Sequence, residues 1–232
     1  MIFRLIVTTL LLLTFGSAAA QEKPTLKDQK EKISYIIGMD IGANLKKQSI
    51  DIDADIVARG IKDGLSGAKP LLSQQEAREV MTAFEKEMKA RQEATQQVAG
   101  EKNKKEGEIF LAENKKKEGV KTLPSGLQYK VIKPGSGKKP AATDTVTTHY
   151  RGTLINGTEF DSSYRRGKPA TFPVSGVIPG WTEALQLMEE GAKWQLFIPP
   201  NLAYAERGAG QVIGPHTTLI FEVELISIQE KK

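Results

Sequence analysis

The side chains able to do chemistry lie almost entirely in the second half of the chain, and most of them are aromatic. Tyr150, Phe160-Asp161-Ser162-Ser163, Phe172, Val177-Ile178-Pro179-Gly180-Trp181, Ala203-Tyr204, Val212-Ile213 and Phe221 set apolar rings beside one carboxylate and two phenolic hydroxyls. Such a set suits binding and desolvation better than nucleophilic attack or metal coordination. The 232 residues include no cysteine and two histidines, which excludes a thiol nucleophile, disulfides, thiolate zinc and a histidine-rich metal site. His149 and His216 have no Ser and Asp at a catalytic spacing. Asp51-Ile52-Asp53-Ala54-Asp55 starts like a calcium loop, yet Ile56 stands where glycine is needed and Lys62 where the closing glutamate is needed. Gly135-Ser136-Gly137-Lys138 fails as a phosphate cradle, because Ile132 replaces the first glycine and Lys139 the hydroxyl. Gly208-Ala209-Gly210 lacks a third glycine, since Ile213 occupies that place. No metal and no cofactor are expected.

The elements that must position these residues read as β from Val120 onward. Leu127, Tyr129 and Val131 alternate with polar neighbours, as do Val146, Thr148 and Tyr150, then Trp194, Leu196 and Ile198, then Leu219, Phe221, Val223 and Leu225. Asn156-Gly157 signals a two-residue hairpin. One short helix fits between Gly180 and Met188, with Trp181, Leu185 and Met188 facing inward. The expected fold class is α+β, an antiparallel sheet of four to six strands wrapped on one helix. Tyr129, Trp194 and Phe197 are expected to be core rather than site residues.

Residues 21–119 read as helix. Ile33, Ile37, Ile41 and Leu45 make one apolar stripe, Asp53 can cap a second helix that Ser66-Gly67 stops, and Ser73 to Glu76 form a capping box. A helix from about Gln74 to Glu118 would follow, apolar on one side through Ala77, Val80, Met81, Phe84 and Met88. Eleven of the residues from Glu101 to Glu118 are charged, with mixed signs, which predicts a solvated connector. Gly100 and Gly107 argue against its continuity, each costing about 1 kcal/mol relative to alanine. Short helices bury little alone, so a homodimer through residues 21–88 is expected.

The net charge of +5 comes from 33 basic and 28 acidic residues, spread over both halves, and the lysine runs are interleaved with glutamates. Neither half reads as a nucleic-acid binder. Met1 to Ala20 has one charge, Arg4, an apolar run from Leu5 to Phe15 and an Ala-rich end, the pattern of a cleaved secretory signal that is too short to span a bilayer. An exported, periplasmic protein without a membrane span is expected, with outer-surface association as a further destination.

Over residues 120–229 the sequence resembles the FKBP-type peptidyl-prolyl cis-trans isomerases. Val146 to Gly152, Gly157 to Ser163, Val177 to Leu187 and Ile213 to Leu225 follow the family's order and spacing. The signal, helical half and connector, with the wording Lys168 to Phe172 and Trp181 to Leu185, resemble the exported, dimeric macrophage-infectivity-potentiator branch. The resemblance implies an FKBP-like half-barrel at 120–232, preceded by a signal peptide (1–20), a helical dimerisation domain (21–72) and a connector helix (73–119). It implies that Asp161, Tyr204 and Ile178 act on the prolyl amide, with Tyr150, Phe160, Phe172, Val177, Trp181, Val212, Ile213 and Phe221 binding the substrate. Proline-containing unfolded or exported polypeptides are the implied partners, and a macrolide inhibitor the implied ligand. A holding chaperone or surface adhesion protein, gripping chains without catalysis, is the alternative. Three departures stand out: Ala205 and Gln211 where the family usually has glycine, and Ala170 where many single-domain members have an aromatic.

Overall fold

A computed structural model describes residues 25–229, so the expected signal segment lies outside the described residues. The chain divides between Ser73 and Gln74 into two compact units. The first holds α1 (Gln29–Lys47) and α2 (Ala54–Ser66). Each starts on an aspartate cap: Asp28 accepts the Glu31 N–H, and Asp53 accepts the N–H groups of Asp55 and Ile56. Gly67, at φ 66°, closes α2 in the left-handed region that glycine enters freely. No residue of either helix is buried, and the stripe Ile33, Ile37 and Ile41 is 48%, 54% and 38% exposed.

The second unit holds α3 (Gln74–Asn114), β1 (Val120–Thr122), β2 (Gln128–Lys133), β3 (Thr145–Leu154), β4 (Glu159–Ser162), β5 (Ala170–Pro173), α4 (Pro179–Leu185), β6 (Lys193–Ile198) and β7 (Leu219–Ile228). The seven strands form one antiparallel sheet in the order β1-β2-β6-β7-β3-β4, with β5 also paired to β3. β3 and β7 alternate between buried and part-buried positions along most of their length. Their inward residues Val146, Tyr150, Leu219, Phe221, Val223 and Leu225 meet Trp181, Ala184 and Leu185 of α4 in one core. Three strands exceed the sequence expectation's firm signals. β1, β4 and β5 are only three or four residues long, too short for alternation to show.

The β3–β4 turn also differs from the expected two-residue hairpin. Gly157 has φ 86° but Asn156 stays out of the positive-φ region, so the paired geometry of a type I′ turn does not form. Instead the Leu154 N–H donates to the Thr158 carbonyl, and the Asn156 carboxamide accepts the Thr158 N–H.

The connector expectation needs correction. α3 is continuous through both glycines, and its last turns are not solvated all round: Gly100, Gly107 and Asn114 are buried. A Cβ at Gly107 would run into Thr218 Oγ1, and one at Gly100 would lie 3.2 Å from the His216 ring and 3.3 Å from Pro215. Asn103 Nδ2 donates to the Pro215 carbonyl at 2.8 Å, and Asn114 Nδ2 to Gln128 Oε1 at 3.0 Å. Phe110 packs on Phe197 with ring centroids 6.0 Å apart. These contact residues recur every three or four positions, so they share one face of the helix. The glycines let that face approach the sheet domain closely.

Candidate active site

β3 brings Tyr150 to the wall of a cavity of about 720 Å³, β4 brings Phe160 and Asp161, β5 Phe172, and β7 Phe221. Consecutive strand residues ordinarily point to opposite faces. Phe160 and Asp161 both reach the cavity because the β3–β4 register slips there: Gly152 opposes Asp161 and Thr153 opposes Glu159, leaving Phe160 as the unpaired extra residue of a bulge. Gly152 is the counterpart on β3. A Cβ there would sit 2.6 Å from the Phe160 ring and 2.7 Å from Phe221.

The start of α4 supplies the floor. Trp181 is 4% exposed and meets three rings nearly at right angles: Tyr150 at 5.2 Å and 90°, Phe221 at 5.2 Å and 83°, Phe172 at 6.0 Å and 82°. Edge-to-face packing places the positive ring edge on the negative face, so the cluster is fixed as well as apolar. The Trp181 indole N–H is buried and has no hydrogen-bond partner among the described residues. Ile178, the residue before α4, accepts the Trp181 and Thr182 N–H groups at its carbonyl, while its own N–H forms no hydrogen bond among the described residues.

One polar cluster interrupts the apolar wall. The Tyr150 hydroxyl donates to Asp161 Oδ2 at 2.5 Å; Arg166 donates to Asp161 Oδ1 through Nη1 and to the Tyr150 hydroxyl through Nη2 at 2.6 Å. The guanidinium carbon also stands 5.3 Å from the Tyr150 ring centroid. Burial pushes the Asp161 carboxyl up, but the Tyr150 and Arg166 hydrogen bonds, the arginine charge and the Ser162 amide outweigh it and hold the carboxyl below its usual range. Burial and the bond to Asp161 push the Tyr150 phenol up. At neutral pH the trio is therefore carboxylate, guanidinium and neutral phenol.

All eleven residues singled out in the sequence line this cavity: Tyr150, Phe160, Asp161, Phe172, Val177, Ile178, Trp181, Tyr204, Val212, Ile213 and Phe221. Tyr204 and Val212 stand at its mouth, 39% and 47% exposed. Gly176, Ala209, Gly210 and Gln211 complete the lining, whereas Ala170 packs against the core without lining it. Sequence reasoning missed Arg166. It lies in a turn beyond β4, among other basic residues, and nothing in its spacing marks it; only the chain reversal after Ser163 returns it to Asp161.

No helix among the described residues is long and apolar enough to cross a membrane. Residues 30–131 match the domain amino terminal to FKBP-type peptidyl-prolyl isomerase, and residues 136–226 match the FKBP-type peptidyl-prolyl cis-trans isomerase domain. The chain is 48% identical over 228 residues to the outer membrane protein MIP of Legionella longbeachae, covering 98% of each chain. It is 44% identical to the peptidyl-prolyl cis-trans isomerase Mip of Coxiella burnetii, over 94% of this chain and 95% of that one. The crystal structure of FkpA from Escherichia coli superposes with a TM-score of 0.68 at 37% identity, covering 88% of this chain and 99% of that one.

Proposed function

Since the chain belongs to the FKBP-type peptidyl-prolyl cis-trans isomerases and is an enzyme of that class, we propose that its aromatic cavity lowers the rotation barrier by taking the prolyl amide out of water. Rotation about that bond faces about 18–20 kcal/mol, because resonance gives C–N partial double-bond character. At the perpendicular geometry resonance is lost and the amide is less polar than in either planar state. A dry aromatic site therefore disfavours the planar amide more than the twisted one, which is binding matched to the transition state with no nucleophile or metal. Trp181 underlies the proline ring, with Tyr150, Phe160, Phe172, Val177, Val212, Ile213 and Phe221 around it. The Ile178 N–H and the Tyr204 hydroxyl donate to substrate carbonyls, and the Asp161 carboxylate faces the twisting amide.

The observation that carries this assignment is the right-angled ring cluster on Trp181 beside an uncommitted Ile178 N–H. Exchange measurements on a short Xaa-Pro peptide test it. Asp161→Leu and Tyr204→Phe should each lower kcat/KM about tenfold, the net worth of roughly one hydrogen bond, with the circular dichroism spectrum unchanged. Full activity in both variants would remove the polar assignments.

The clients are proline-containing exported polypeptides, since uncatalysed isomerisation takes tens of seconds and limits folding. The same apolar cavity suits a macrolide inhibitor, and assistance to folding accompanies the isomerisation. Residues 1–20 direct export to the periplasm, and residues 21–88 join two copies. The exposed isoleucine stripe of α1 supports the homodimer, and one relative's name, which places that protein at the outer membrane, supports a surface association.

A further inference from the structure

Next in the chain to the cavity residue Tyr204, the second unit holds a non-glycine residue in the left-handed region. Among the described residues, three non-glycine positions have positive φ, and two of them, Ala205 at 48° and His216 at 53°, are bonded to each other: the His216 N–H donates to the Ala205 carbonyl at 2.7 Å. Left-handed geometry costs an L-residue roughly 1–2 kcal/mol, so neither position holds it unaided. The Ala205 N–H is tied back to the Pro200 carbonyl at 2.9 Å. His216 is held from the other side by α3. Asn103 Nδ2 donates to the Pro215 carbonyl at 2.8 Å and to Thr217 Oγ1 at 3.2 Å, and Thr217 Oγ1 donates to the Gly214 carbonyl at 2.8 Å. Gly100 leaves room for the His216 ring and Pro215 to pack close to the helix, and Gly107 lets Thr218 stand where a side-chain Cβ would otherwise be. The gripped segment 214–218 runs from the cavity residue Ile213 toward the cavity residue Phe221.

We infer that α3 is a positioning element for the isomerase site: Asn103 and Gly100 fix Pro215 and His216, His216 fixes Ala205, and Ala205 sets where the adjoining Tyr204 hydroxyl stands over the cavity. The inference rests on the assignment of that hydroxyl as a donor to substrate. Glycine is the residue the family usually has after this tyrosine, and with glycine the left-handed turn forms at no steric cost. With Ala205 the turn depends on what grips it. The helix supplies that grip, and the mouth residue acquires a position that its own loop does not enforce.

A double-mutant cycle in the full chain tests the inference, read as kcat/KM on a short Xaa-Pro peptide. Asn103→Ala, which removes two hydrogen bonds but favours helix, should lower kcat/KM about fivefold, within the range of contacting pairs. Gly100→Ala should also lower it, because its Cβ would stand 3.2 Å from the His216 ring and 3.3 Å from Pro215 and push them away, while the gain in helix propensity offsets the stability cost of that contact. In a Tyr204→Phe background, where the hydroxyl is already gone, both losses should shrink to near nothing. Equal losses with and without the hydroxyl would overturn the coupling, as would full activity in Asn103→Ala and Gly100→Ala. If Tyr204→Phe alone is fully active, the donor assignment fails instead.

Discussion

Arg166 makes the Asp161 carboxylate compatible with an apolar wall. Three donors, from Tyr150, Arg166 and the Ser162 amide, and a full positive charge hold the carboxyl ionised where burial alone would favour the neutral acid. A carboxyl with a depressed folded pKa stabilises the fold above its unfolded pKa, and that contribution disappears as pH falls through the folded value. The Tyr150 phenol is shifted the other way, so it stays a donor well into the alkaline range. Isomerisation of a peptide should accordingly be flat from about pH 5 to pH 9. In Arg166→Met the acid limb should move to higher pH, since burial then acts on Asp161 with less opposition; an unmoved limb would show that the arginine does not set the carboxylate's charge. Residue-level legibility was uneven. The aromatic positions announce themselves by type and order, because large rings are few here and must be placed. Arg166 and Gly152 do not: one is a surface cation in a turn, and the other matters through a side chain it lacks.

At the scale of elements, β3 and β7 were legible because one face of each is buried and the period of two is sustained, whereas β2 and β6 alternate in sequence although β2 is exposed beyond Tyr129 and β6 is buried on both faces from Leu196 to Ile198. β1, β4 and β5 were not legible, as three or four residues carry no period. The docked face of α3 was hidden for a different reason. Its contact residues Gly100, Asn103, Gly107, Phe110, Leu111 and Asn114 follow helical spacing, but most are small or polar, so a search for apolar stripes passes over them. What is buried there is backbone approach and amide hydrogen bonding, including Gln128 Nε2 to the Leu111 carbonyl at 2.9 Å. Gly107→Leu should therefore undock the helix end, since Thr218 occupies the space. The expected cost is about 1–3 kcal/mol of overpacking, read as a lowered melting temperature together with faster amide exchange over residues 100–114. Undiminished protection there would refute the contact.

At the scale of the whole molecule, the apolar residues of α1 and α2 remain in water in a single chain. Ile33, Ile37, Ile41 and Ile56 all stand among the exposed large side chains. So much exposed isoleucine on capped helices fits a surface awaiting a second copy. Light scattering at micromolar concentration should give twice the chain mass. Ile37→Asp combined with Ile41→Asp should return the monomer and leave peptide isomerisation intact, since both residues lie outside the catalytic unit; a monomeric parent protein would dismiss the homodimer. The glycines of α3 bear on the same scale. A helix usually keeps its own shape and lends it to its neighbours, but here the weakest helix formers fall where the sheet domain touches, so continuity over Gly100 to Asn114 is borrowed from the contact. Docked, α3 is a stiff rod of about 60 Å; released, it would soften first at Gly100 and Gly107. The join between rod and catalytic domain is thus where the helix gives way first once its contact with the sheet is lost.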